Sequence, residues 1–88
     1  MAGYRLLVKA SAAKEVKAVG SKEDRRRIVE QIAGLASNPR PHNSEKLAGY
    51  DDRYRIRQGH YRIVDLIDEA LHEVTIFKVG HRKDVYRT

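Results

Sequence analysis

Two prolines in the stretch "SNPRP", Ser37 to Pro41, divide this chain into halves with different hydrophobic periods. A helix that enters the stretch cannot leave it, because Pro39 and Pro41 lack an amide donor and their rings crowd the preceding turn. Before it, apolar residues recur at helical spacing: Ala12, Val16 and Val19, then Ile28, Ile32 and Leu35 with Ala36. After it they alternate, as strands with one buried face require.

The first half also begins with a strand. "YRLLVKA" sets Tyr4, Leu6 and Val8 against Arg5, Leu7 and Lys9. Ser11 then offers a helix N-cap and Gly20 a stop. Ser21 offers the next N-cap, with Asp24 three residues on as an approximate capping box, for a helix running to about Ser37. Two helices joined by Gly-Ser form a helical hairpin. In the second half "RYRIR" is a strand with one basic face, "QGH" a short turn and "YRIVDLI" the returning strand. "DEALH" turns again before "EVTIFKV". The long segment "RPHNSEKLAGYDD" reads as a loop, with a short extended piece at Lys46–Leu47. The expected fold is α+β: an N-terminal strand, a helical hairpin, then a three-stranded antiparallel meander, forming one mostly antiparallel sheet. With 88 residues, the chain is expected to be a single domain, 1–88, with one modest core.

Eighteen Lys and Arg against twelve Asp and Glu give a formal charge of +6, which favours a polyanionic partner. Without cysteine there is neither a disulfide framework nor a Cys-ligated metal. The N-terminal residues contain no long apolar stretch, so neither a signal peptide nor a membrane partner is expected, and the location expected is cytoplasmic.

The basic residues of the meander carry the chemistry. Arg55 and Arg57 share one side of their strand, and Arg62 lies just across the turn. Arg82 and Tyr86 follow the last strand, in "VGHRKDVYR". Four arginines and a tyrosine can thus converge on one patch, and guanidinium forks match phosphate oxygens. A solvated basic sheet face explains the same alternation, and from period and composition alone it is slightly the better reading. The histidines, His42, His60, His72 and His81, show no metal-ligand spacing. Only His81 adjoins the patch. Tyr50, Tyr54 and Tyr61 read as core or sheet-edge aromatics, whereas cations around Tyr86 favour its phenolate and suit acid-base work.

"KLAGYDDRYRIRQGHYRIV" followed by "IFKVGHRKDVYR", after a strand and helical hairpin, resembles the RelE toxins of the RelE/ParE toxin–antitoxin superfamily over nearly the whole chain. The resemblance implies a metal-independent and cofactor-independent endoribonuclease. It would cut mRNA in the ribosomal A site through attack of the nucleotide's own 2′-hydroxyl, with no small-molecule substrate. By motif, Arg62 and Arg82 would stabilise the charge on the phosphorane and Tyr86 would be the acid-base group. Arg55, Arg57, His81 and Lys83 would contact RNA phosphates. Arg55 and Arg57 fall where some relatives place lysines, and guanidinium is a poor general base. Proton removal would then rest with Tyr86, His81 or the ribosome. Asp65 stands where relatives often carry an aromatic, and is expected to be exposed or paired with an arginine. The implied partners are a RelB-like antitoxin, the ribosome and mRNA. The alternatives are a ParE-like gyrase inhibitor and a member that binds RNA or ribosomes without cutting.

Overall fold

The structure, a computed structural model, describes residues 3–85, and of Asp84 and Val85 the backbone alone. Eight elements follow one another: β1 (Arg5–Val8), α1 (Ala10–Lys17), α2 (Lys22–Gly34), β2 (Ser44–Lys46), β3 (Arg53–Gln58), β4 (Tyr61–Asp68), β5 (Glu73–His81) and α3 (Arg82–Val85). The strands form one sheet of order β1-β5-β4-β3-β2, in which only the β1–β5 pair is parallel. This is the α+β layout expected from the sequence, with one strand more. The crossover from β1 to β5 passes through the helical hairpin, which covers one face of the sheet.

That covered face is the core. Ile28, Ile32 and Leu35 meet Ile56, Ile63, Ile67, Val74, Ile76 and Val79, all buried, with Ala12 and Val19 closing the α1 side. Val74 and Ile76 share a face by simple alternation, but Val79 is out of phase with them. A bulge resolves the conflict: Val64 pairs with Lys78 and Asp65 with Ile76, so Phe77 is the extra residue. Beyond the bulge the odd residues of β5 face the helices. Lys78 and Gly80 therefore turn to the open face.

The caps divide between expected and not. Ser21 caps α2, its Oγ accepting from the Asp24 amide at 3.2 Å. Ser11 does not cap α1; the helix starts earlier, with Lys9 at the cap position and no side-chain hydrogen bond. α2 ends at Gly34, three residues before Ser37, and a turn carries the chain to the buried Pro39. Arg25 of α2 is half-buried and donates from Nη1 to the Val19 carbonyl at 2.9 Å, tying the two helices. The extended piece expected at Lys46–Leu47 is β2, an edge strand at Ser44–Lys46.

Asp65 contradicts expectation. It is neither exposed nor paired with an arginine: its exposure is 0%, and both carboxylate oxygens lack a hydrogen-bond partner. The reason is strand parity. Asp65 lies between Ile63 and Ile67 on the helix-covered face of the central strand, opposite Tyr54 and Ile76. Burial pushes its carboxyl up to about 7, with its own backbone amide and, after it, the charge of Arg40 pulling the other way.

Candidate functional site

The open face of the sheet gathers the basic residues. On β3, Arg53, Arg55 and Arg57 alternate with the core-facing Tyr54 and Ile56, so all three arginines point away from the helices. Arg57 pairs directly with Arg62 of β4, and Arg62 in turn with Gly80 of β5. Directly opposed residues share a face at roughly 5 Å between Cβ atoms. The turn between β3 and β4 makes this register. Gly59 at φ 60° takes the first central position of a two-residue hairpin, which only glycine fills without strain. At the far end the Arg82 amide donates to the His60 carbonyl at 2.8 Å, which carries α3 back over the same hairpin. α3 lies against β5 and β4.

Within this patch the side chains differ in freedom. Arg62 is only 7% exposed; its Nη1 donates to the carbonyls of Tyr61 at 3.0 Å and Gly59 at 3.3 Å. Its buried Nε has no partner among the described residues. An unpaired buried donor on a cation is costly, so a ligand oxygen at that position is favoured. Arg57 and Arg82 are exposed, as is Lys83, whose amide donates to His81 Nδ1 at 3.3 Å. Arg55 is ion-paired to Glu45 of β2, Nη2 to Oε2 at 2.6 Å. That hydrogen bond, then the charge of Arg55 and, more weakly, of Arg57, hold the Glu45 carboxyl below its ordinary value. The rings of His60 and His81 lie nearly parallel with centroids 6.2 Å apart, and Tyr61 meets His81 edge-on at 5.7 Å.

Of the residues named from sequence, Arg55, Arg57 and Arg62 share the open face, with Arg82 and Lys83 just past the end of β5; His81, paired with Tyr61, reaches the same end of the sheet from the helix side, where it lines a cavity with Glu15, Val19 and Tyr61. Tyr86 lies outside the described residues. Two neighbours were missed. Glu45 sits in an apparent loop with no period to mark it. His60 is half of a turn dipeptide, and only the β4–β5 register brings it beside His81. Among the described residues no group of three or more His, Asp and Glu could hold a metal ion. No helix among them is long and apolar enough to cross a membrane.

The model of a known family matches residues 6–86: the ParE toxin of the type II toxin–antitoxin system parDE. The chain belongs to the RelE/ParE superfamily of type II toxins. Among solved structures the fold is similar to that of the archaeal RelE–RelB complex from Pyrococcus horikoshii OT3, with TM-score 0.81 and 27% identity over 96% of this chain and 99% of that one. The RelB–RelE antitoxin–toxin complex from Methanococcus jannaschii gives TM-score 0.76 and 28% identity, over 92% and 95%. The intact E. coli RelBE complex gives 0.72 and 30%, over 89% and 95%. No curated protein sequence matches the chain.

Proposed function

We propose that this toxin is a single-domain, ribosome-dependent endoribonuclease that cuts mRNA in the A site. The observation that carries the reading is the register Arg57–Arg62–Gly80, which sets arginines of adjacent strands side by side on the uncovered face, with Arg82 just beyond. In this reading the 2′-oxygen of the mRNA attacks the adjacent phosphorus, and the bond from phosphorus to the 5′-oxygen breaks. The products are a 2′,3′-cyclic phosphate and a 5′-hydroxyl. Arg62, held rigidly by two carbonyls, and Arg82 stabilise the added negative charge on the phosphoryl oxygens. Arg57, His81 and Lys83 position the backbone. Tyr86 is assigned the proton of the leaving 5′-oxygen. A shallow basic surface holds RNA weakly, and the ribosome supplies the in-line geometry.

The partner proposed is an acidic RelB-like antitoxin, as the solved relatives are complexes with RelB. An apolar groove of about 970 Å³ runs between β1, α1 and α2, lined by Val8, Ala13, Val16, Val29 and Ile32 and rimmed by four cations, Lys17, Lys22, Arg25 and Arg26, and two carboxylates, Glu23 and Glu30. Val8 and Val29 are 43% and 51% exposed, which suits the apolar face of an acidic amphipathic segment. Val29→Glu is expected to weaken antitoxin binding at least tenfold in a titration while leaving cleavage unchanged.

Primer extension on a defined message in a purified translation reaction tests the enzyme. Cuts confined to the A-site codon and absent without ribosomes support it. A second reading, a ParE-like gyrase inhibitor, is favoured by the description of the matching family model. An intact message together with inhibited DNA supercoiling would decide for that reading.

A further inference from the structure

The open face offers arginines for phosphate, but the reaction proposed above also needs an acceptor for the 2′-hydroxyl proton. Arginines do not accept protons at neutral pH. A carboxylate does, and β2 brings one to the patch. Glu45 pairs directly with Arg55 across the β2–β3 ladder, and so lies on the open face rather than the core face. Its side chain, with those of His42, Asn43, Arg55 and Arg57, lines a cleft of about 220 Å³ beside the Arg57–Arg62 pair.

We infer that Glu45 is the general base of the cleavage, accepting the 2′-hydroxyl proton in the cleft formed with Arg55 and Arg57. This rests on the endoribonuclease reading. The step balances as follows. The 2′-oxygen forms its bond to phosphorus and its proton passes to Glu45 Oε. The 5′-oxygen leaves with the electrons of its bond to phosphorus and takes a proton from an acid, the role assigned to Tyr86.

The surroundings of Glu45 suit the role. Arg55 donates to one carboxylate oxygen, Oε2, at 2.6 Å, which holds the carboxylate at the cleft while the side chain stays 65% exposed and open to a ligand. The charged or titratable groups lining the cleft with it are Arg55 and Arg57 from β3 and His42 from the preceding loop. Two guanidiniums keep the carboxyl ionised well below neutrality, so it is always ready to accept a proton, though it is a weak base. Because a scissile phosphate between Arg57 and Arg62 would draw Arg57 towards itself, substrate binding would relieve part of that hold and raise the basicity of Glu45 in the complex. Arg55 acts through Glu45 and is a positioning residue.

The test is single-turnover cleavage of ribosome-bound message by the wild type, Glu45→Gln and Glu45→Asp, with affinity measured separately on a message carrying 2′-deoxy at the cut site. Glu45→Gln is expected to slow cleavage about 10²- to 10⁴-fold, the range for a lost general base, while affinity stays within about twofold. Glu45→Asp recovers part of the rate. Between about pH 7.5 and about pH 5.5 the wild-type rate stays level on the acid side, as a base ionised below that window requires. Cleavage by Glu45→Gln at or above the wild-type rate would make Glu45 only a counter-ion that restrains Arg55, and would overturn the assignment. A wild-type rate that instead falls as pH drops through the range of an ordinary histidine would overturn the assignment in favour of a histidine, of which His42 lines the cleft. Equal losses of affinity and rate in Glu45→Gln would leave a docking role alone. A wild type that cuts nothing overturns the endoribonuclease reading first, and the base with it.

Discussion

The two faces of the sheet treat charge in opposite ways. On the open face, Arg55 has the carboxylate of Glu45, and Arg62, though buried, donates to two carbonyls. On the helix-covered face, neither carboxylate oxygen of Asp65 has a hydrogen-bond partner among the described residues, and apolar side chains lie on both sides along its own strand. Both faces belong to one strand, β4, and adjacent positions differ only in parity. Arg62 and Asp65 are three residues apart and so fall on opposite sides. The contrast separates charge that finds partners from charge whose burial only costs stability.

Breaking the open face should have the largest effect. Arg62→Ala removes a rigidly held guanidinium from the centre of the patch and is expected to slow cleavage by about two to three orders of magnitude, read in single-turnover assays. Arg62→Lys keeps the charge but not the fork, and should recover little of the rate.

On the covered face the readout is stability. The native Asp65 carboxyl titrates near 7, above the 3.8 of an ordinary aspartate, so the native state holds a proton that the unfolded chain releases in between. Its contribution to stability is therefore full below about pH 4, declines as pH rises, and is gone above about pH 7. Asp65→Asn should flatten that decline in denaturant titrations and raise stability at pH 8 by a few kcal/mol, on the order of 3. A pH slope unchanged by the substitution would mean that Asp65 finds a partner in solution.

The smallest effects belong to the helix cations, which divide the same way. Arg25→Ala loses a half-buried hydrogen bond to the Val19 carbonyl and should cost about 1 kcal/mol. Arg26 is 62% exposed in its side chain and bridges Glu23 and Glu30 at 3.6 and 4.0 Å, so Arg26→Ala should cost no more than about 0.5 kcal/mol. Thermal denaturation of the two variants side by side measures the difference.

The sequence showed most clearly what repeats. The periods of α2, β3 and β4 and the stop at Pro39 located the helices, the meander and the basic face of β3, and the Gly59 turn brought Arg62 to Arg57. Features held by single long-range contacts were less legible. β2 has only three residues and no alternation; it exists because Ser44, Glu45 and Lys46 find Ile56, Arg55 and Tyr54. Glu45 was hidden with it. The Phe77 bulge was not legible either, though Val79, out of phase with Val74 and Ile76, was its trace. Asp65 was misjudged by residue type, since an aspartate on an alternating strand suggests solvent while its position in the alternation assigned it to the core. α1 begins at Ala10 without a capping side chain, because Lys9 at the strand end already donates its amide to Ile76 and fixes where the chain turns.

The central claim is that the open face performs chemistry and does not merely hold RNA. The most direct test measures cleavage rate and ribosome affinity together for Arg82→Ala, whose exposed side chain contributes nothing to the core. A rate lower by about two to three orders of magnitude with affinity nearly unchanged is the expected result. Parallel loss of both, or cleavage at the wild-type rate, would contradict it and leave the arginines as a docking surface.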